Sequence, residues 1–191
     1  MDDNIEAKLI KRNEKHVEKH GKKHESEEAK KHVFVLTCMD ARIQEADYGF
    51  KSGEAYFCRN GGGKVTDDAI RSAVLTIRLF AVDTIFIIQH TDCGLEKVSD
   101  PKVRELLRRN LGPAHLGEDV PKERGNRDVN HNSDYIAFLA FEDLRKSVIH
   151  DVFRMRSQPL ISKKVGIFGY IYDVDTGELT KVEGASSPGS P

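Results

Sequence analysis

The chain has 191 residues and a formal net charge of −1, from 30 Lys and Arg against 31 Asp and Glu. That length suits one domain able to bury roughly 70% of the surface its unfolded form exposes, and a hydrophobic content of 38% is ordinary for a globular fold. The charge balance excludes a strongly basic nucleic-acid binder and an acidic disordered chain. No apolar run reaches the roughly 18 residues of a membrane span, and no apolar signal region follows the N-terminus, so a cytoplasmic chain is expected, whose three cysteines are thiols or metal ligands rather than disulfides.

Residues 1–32 stand apart as a charged N-terminal extension. Roughly half are Lys, Arg, Asp or Glu, good helix formers dominate, and the apolar residues Ile5, Leu9, Ile10 and Val17 are sparse. The pattern predicts a helix or two that packs weakly on its own chain, or against a partner subunit. His16, His20 and His24 share a helical face, but Lys and Glu surround them, so a solvated face explains them better than a metal stripe.

A single α/β domain is expected over 33–183. Val33–Leu36 reads as a buried parallel strand. Residues 54–58 give a second strand, closed by Gly61-Gly62-Gly63. Thr66-Asp67-Asp68 is a helix start, a Thr cap followed by two acids on the positive end of the dipole. Ile70, Val74, Ile77 and Leu79-Phe80 continue at helical spacing, and Thr84–Ile88 is a third strand. Strand, helix and strand in alternation argue for a parallel sheet.

Residues 96–134 are polar and irregular, with a helix at 101–109, and read as an excursion over the surface. Tyr135–Arg156 is predicted as one long amphipathic helix stopped by Pro159. Val165–Val174 is a fourth strand, and Glu178–Val182 a short hairpin return. The tail 184–191, GASSPGSP, is expected to be disordered.

The chemistry sits at two strand ends. Thr37-Cys38-Met39-Asp40-Ala41-Arg42 follows the first strand, and His90-Thr91-Asp92-Cys93-Gly94 follows the third. If these strands are neighbours across a switch in winding direction, their carboxyl ends open a crevice where Cys38, His90 and Cys93 converge. Two thiolates and an imidazole form a catalytic zinc set, with a fourth position open to water. Each piece alone is weak, since a lone Cys after a buried strand is usually core. The combination with Asp40 and Arg42 is what carries weight. In an extended segment these two side chains point the same way, and an Arg fork keeps a carboxylate ionised and oriented. Cys58 reads as a buried thiol outside the ligand set. Gly61 and Gly62 offer backbone able to approach another group closely.

The pattern Cys38-x-Asp40-x-Arg42, Arg59-Asn60-Gly61-Gly62 and His90-x-x-Cys93-Gly94 resembles the β-class carbonic anhydrases, a family that includes carbonyl sulfide and carbon disulfide hydrolases. The match runs from about Val33 to about Thr180. The resemblance implies one zinc ion per chain on Cys38, His90 and Cys93, and a catalytic Asp40–Arg42 dyad. It implies a four-stranded parallel sheet in order 2-1-3-4, with an added edge strand and helices on both faces. It also implies homodimers, often paired into tetramers, whose N-terminal helices embrace the partner. Neither nucleic acid nor membrane is an expected partner.

The expected activity is hydration of carbon dioxide to bicarbonate by a metal-bound hydroxide. Asp40 accepts its hydrogen bond, Arg42 holds Asp40, and Gly61 and Gly62 line the substrate side. The alternative keeps the zinc site and hydrolyses carbonyl sulfide, releasing hydrogen sulfide and carbon dioxide. A further alternative is a non-catalytic, zinc-stabilised binding module, which gains if Asp40 or a further Cys closes the site. Gly61, Leu95, Gln89, Phe57 and Cys58 depart from the usual family pattern and bear on the pocket rather than on the ligands.

Overall fold

The computed structural model describes residues 5–20, 28–110 and 136–190. A five-stranded sheet in the order β2-β1-β3-β4-β5 forms its centre. The strands are β1 (Val33–Cys38), β2 (Ala55–Asn60), β3 (Thr84–His90), β4 (Gly166–Tyr172) and β5 (Leu179–Ser187). The first four are parallel, and β5 adds antiparallel at the β4 edge. This is the 2-1-3-4 order with an extra edge strand, so the chain reverses its winding at β1 and β3. Their carboxyl ends are neighbours there, which is where open α/β sheets bind ligands.

Strand alternation divides the core. Phe34, Leu36, Ile85, Ile87 and Ile167 point to one face. There they meet Ala69 and Ala73 of α2 (Asp67–Phe80) and Val148, Val152 and Met155 of α4 (Leu144–Arg156). Thr66 caps α2 by accepting from the Ala69 N–H. Gly169 makes the approach of α4 possible, because a Cβ there would lie 2.5 Å from Val148 and 2.7 Å from Ala185. Val33, Val35, Ile88 and Tyr172 point to the other face, with Phe57, Phe86 and Tyr170 partly buried beside them. Among the described residues, both long core helices lie on the first face. The second is covered by the loop through the 3-10 turn Glu45–Tyr48 and by Leu95 and Phe141.

α1 (Ile5–His20) is helical, as its composition predicts, and Ile5, Leu9, Ile10 and Val17 on it are exposed. His24 of the histidine stripe and residues 111–135 of the polar excursion lie outside the described residues. α3 (Asp100–Asn110) corresponds to the helix expected at 101–109.

Two expectations are corrected. The helix predicted over Tyr135–Arg156 begins only at Leu144, because Asp143 caps it by accepting from the Lys146 N–H. The backbone ahead of it bonds elsewhere. Asp100 of α3 accepts from the N–H groups of Phe138 and Ala140, the Phe141 N–H donates to the Leu95 carbonyl, and Leu139 is left-handed with φ 60°. The tail expected to be disordered over 184–191 is instead ordered over its described residues, since 184–187 complete β5, Ala185 is fully buried and the Ser190 N–H donates to the Lys163 carbonyl at 2.9 Å. Arg156 secures this end by donating to Ser187 Oγ at 2.7 Å and to the Val165 carbonyl.

Candidate metal centre

β1 and β3 are adjacent and parallel, in the register Thr37 opposite Ile88. Cys38 therefore leaves the sheet beside His90, and the turn after β3 brings Cys93 back to the same point. The Sγ atoms of Cys38 and Cys93 and a ring nitrogen of His90 all lie within 4.8 Å of one another, on three buried residues. Ile43, Ile88, Leu95 and Phe141 surround them with apolar groups. His90 Nδ1 donates to the Thr91 carbonyl at 2.8 Å, which fixes the tautomer and leaves Nε2 with its lone pair facing the thiols. Nε2 is buried and has no hydrogen-bond partner among the described residues.

The two thiols share their protons unequally. The nearness of the two thiols holds Cys38 well below the usual thiol range and, together with burial, pushes Cys93 up. The N–H groups of Asp40 and Gly62 also donate toward Cys38. This pair, together with an unpartnered imidazole nitrogen, is a soft three-donor set suited to zinc with a fourth position open. Asp40 does not close that position. Its two oxygens take the Arg42 fork, Nε on Oδ1 at 3.0 Å and Nη2 on Oδ2 at 2.8 Å, and Oδ1 also accepts from the Arg42 backbone N–H. This holds the Asp40 carboxyl well below the usual carboxylate range. Oδ2 lies 3.9 Å from His90 Nε2, so an ionised carboxylate faces the donors without joining them.

The sequence reading missed two residues that brace the dyad. Asp92, left-handed at φ 58°, accepts from Arg42 Nη1 at 2.8 Å, and its carbonyl accepts from Nη2 at 3.2 Å. Lys97 donates to the other Asp92 oxygen. Arg59 donates to the carbonyls of Cys38, Asp40 and Ile43, tying down the whole loop after β1. The position of Asp92 between His90 and Cys93 was a signal for the first. Arg59 stands in the family pattern, but nothing in the sequence gives it this role, because its partners are backbone carbonyls.

The Gly61–Gly63 turn packs directly on the strand ends. A Cβ on Gly63, at φ +62°, would lie 3.0 Å from the Cys38 nitrogen and 3.1 Å from the Ile88 oxygen. Leu95 lies over Gly61 and Gly62, its Cδ1 only 2.8 Å from where a Gly62 Cβ would sit. Phe57 lies on the Cys38 face, edge-on to Phe50 at 5.7 Å. Cys58 points to the opposite face, with its thiol pushed up by burial, and is not in the donor cluster.

Comparison with known proteins agrees with this architecture. The family model described as carbonic anhydrase matches residues 33–179. A carbon disulfide hydrolase of Acidianus sp. (strain A1-3) is 36% identical over 159 residues, which span 78% of this chain and 76% of the relative. Beta-carbonic anhydrase 1 of Mycobacterium tuberculosis is 32% identical over 155 residues, spanning 80% and 82%. The crystal structure of carbonic anhydrase from Streptococcus mutans superposes with a TM-score of 0.79 at 34% identity, covering 96% of this chain and 100% of that one. The chain belongs to the beta-carbonic anhydrase family, the family of both carbonic anhydrases and carbon disulfide hydrolases.

Proposed function

We propose that the protein is a zinc enzyme that hydrates carbon dioxide to bicarbonate, with Cys38, His90 and Cys93 holding one zinc ion per chain. The observation that carries this reading is the buried, unpartnered Nε2 of His90 beside two thiols, faced by an Arg-clamped carboxylate. When bound, zinc lowers the pKa of a coordinated water from about 16 toward 7 and so supplies a hydroxide nucleophile near neutral pH.

The remaining work falls to the chain itself. Asp40, kept ionised by Arg42, accepts a hydrogen bond from the nucleophile and turns its lone pair toward the substrate carbon. Arg42 is a positioning residue, itself held by Asp92. The apolar collar of Ile43, Leu95 and Phe141 excludes water, which strengthens each electrostatic contact inside. Gly61 and Gly62 bound the substrate side. A closed structural zinc site is disfavoured, because the donor cluster among the described residues holds three groups and Asp40 is turned to Arg42.

Carbonyl sulfide is the second reading, favoured by the 36% identity to a carbon disulfide hydrolase and by the apolar side chains of Leu95 and Phe57. Against it, Leu95 fills the room that Gly61 and Gly62 would otherwise leave. Parallel kinetics on one zinc-loaded preparation separate the two. Carbon dioxide hydration with the higher kcat/KM supports the first reading, and fast sulfide release with feeble hydration overturns it in favour of the second.

The expected assembly is a homodimer or a pair of dimers. The exposed apolar residues of α1 and the half-covered aromatic face of Phe86 and Tyr170 support it.

A further inference from the structure

Beside α4 lies a polar cluster that the proposed reaction does not use, reaching to Phe141, whose ring centroid is 5.3 Å from Lys64 Nζ. Lys64 is only 7% exposed, Asp151 and Ser147 4% each, and Gln89 is fully buried. Lys64 Nζ lies 2.7 Å from Asp151 Oδ2 and donates to Ser147 Oγ at 2.6 Å. Gln89 Nε2 donates to the same Asp151 oxygen at 2.6 Å. Ser147 and Asp151 both belong to α4. A buried ion pair seldom repays the cost of desolvating its charges, and apolar side chains of similar volume usually stabilise a core as well or better. Stability alone is therefore a poor account of this cluster.

Its position offers a better one. Lys64 is the residue that closes the Gly61–Gly63 turn. Its N–H donates to Asn60 Oδ1 at 2.8 Å, and its carbonyl accepts from Asn60 Nδ2 at 2.7 Å, so one amide clips the turn shut from β2. The other end is held by the Lys64 ammonium, anchored in α4. Between these anchors, Gly63 packs so closely that a Cβ there would lie 3.0 Å from the backbone of Thr37 and Cys38, and the Gly62 N–H helps to lower the Cys38 thiol. Gln89, bonded to the same carboxylate, immediately precedes His90 on β3.

We infer that Lys64 is a positioning residue: its ammonium, held by Asp151 and Ser147, seats the Gly61–Gly63 turn against Cys38 and so sets the donor geometry of the metal centre from α4. The inference rests on the zinc reading of Cys38, His90 and Cys93. It extends the determinants of that site to α4, which contributes no donor.

The test is the double variant Lys64→Met/Asp151→Asn. It removes both charges and leaves an amide oxygen to accept from Gln89. Three quantities are read on full-length protein: the melting temperature, the rate of zinc release to a chromogenic chelator, and the visible spectrum after replacement of zinc by cobalt. A purely structural cluster moves only the first. The inference expects a melting temperature close to that of the parent, zinc release about tenfold faster, and shifted thiolate-to-cobalt charge-transfer bands. Zinc release and cobalt bands identical to the parent overturn it. If the double variant does not fold, Ser147→Ala decides the matter, because it removes one acceptor of the ammonium and keeps the ion pair. About threefold faster zinc release is then expected, and an unchanged rate overturns the inference. An unsubstituted protein that takes up no zinc overturns the metal centre itself, before any variant is measured.

Discussion

Both oxygens of Asp40 are bonded to Arg42, and Arg42 in turn is braced by Asp92. Asp40→Asn is expected to keep zinc and lose most of its turnover, about 100-fold or more. The amide can present an N–H where the carboxylate only accepts, which misorients the nucleophile. Zinc content and kcat, measured together, check this. The pH dependence follows from the same bonds. Because the guanidinium depresses the Asp40 pKa, the carboxylate stays charged below the ordinary range and is lost only as the pH falls through its lowered value. Arg42→Ala lets that pKa rise toward about 4. The variant's loss of activity on acidification, set first by protonation of the hydroxide near pH 7, should therefore steepen further around pH 4 where the parent's does not, as a pH profile of kcat/KM will show. Among the cysteines, Cys38→Ser and Cys93→Ser should lose the metal, since a neutral hydroxyl is a poor substitute for a thiolate. Cys58→Ser, on the opposite face, should keep it, and metal analysis of the three variants tests the assignment.

Turns and strand ends decide the geometry at the next scale. Gly63→Ala is expected to destabilise the fold by about 1–3 kcal/mol, because its φ is positive and its Cβ would press on backbone at 3.0 Å. Chemical denaturation measures the loss. Removing residues 184–191 should also unfold or strongly destabilise the domain, because Ala185 packs against the site of Gly169 and Ser187 ties Arg156. A truncated chain with the parent's melting temperature would contradict that role. The same elements show what was legible in the sequence. β1 and β3 were readable because each apolar run leads directly into a cluster of soft and charged residues. The first half of β5 was readable as a hairpin return at Glu178–Val182, but its second half was not, because Gly184, Ser186 and Ser187 have the composition of a tail. Their order comes from pairing with Ile167 and Phe168 across the chain. The start of α4 was obscured in a similar way. Ile136, Leu139 and Ala140 have helical spacing, but the Asp100 carboxylate takes the backbone N–H groups a helix would need.

The whole molecule leaves α1 with exposed apolar side chains and one sheet face with partly covered aromatics, as a subunit of an assembly does. Deleting residues 1–30 should weaken self-association, and sedimentation velocity at micromolar concentration will show a shift toward monomer. A full-length chain that sediments as a fully active monomer would contradict the proposed assembly. The metal centre was legible as a set, since Cys38, His90 and Cys93 stand where adjacent strands end. Its bracing was not, because Asp92, Arg59 and Lys64 act through contacts across 50, 16 to 21 and 83 residues of sequence. No periodicity reports such separations.

The central claim is that three buried donors and a clamped carboxylate make a carbon dioxide hydratase. Stopped-flow hydration of carbon dioxide by zinc-loaded protein, beside Cys38→Ser prepared identically, tests it most directly. Hydration far above the uncatalysed rate is expected for the parent and none above background for the variant. A parent with one zinc per chain and no hydration above background would contradict it.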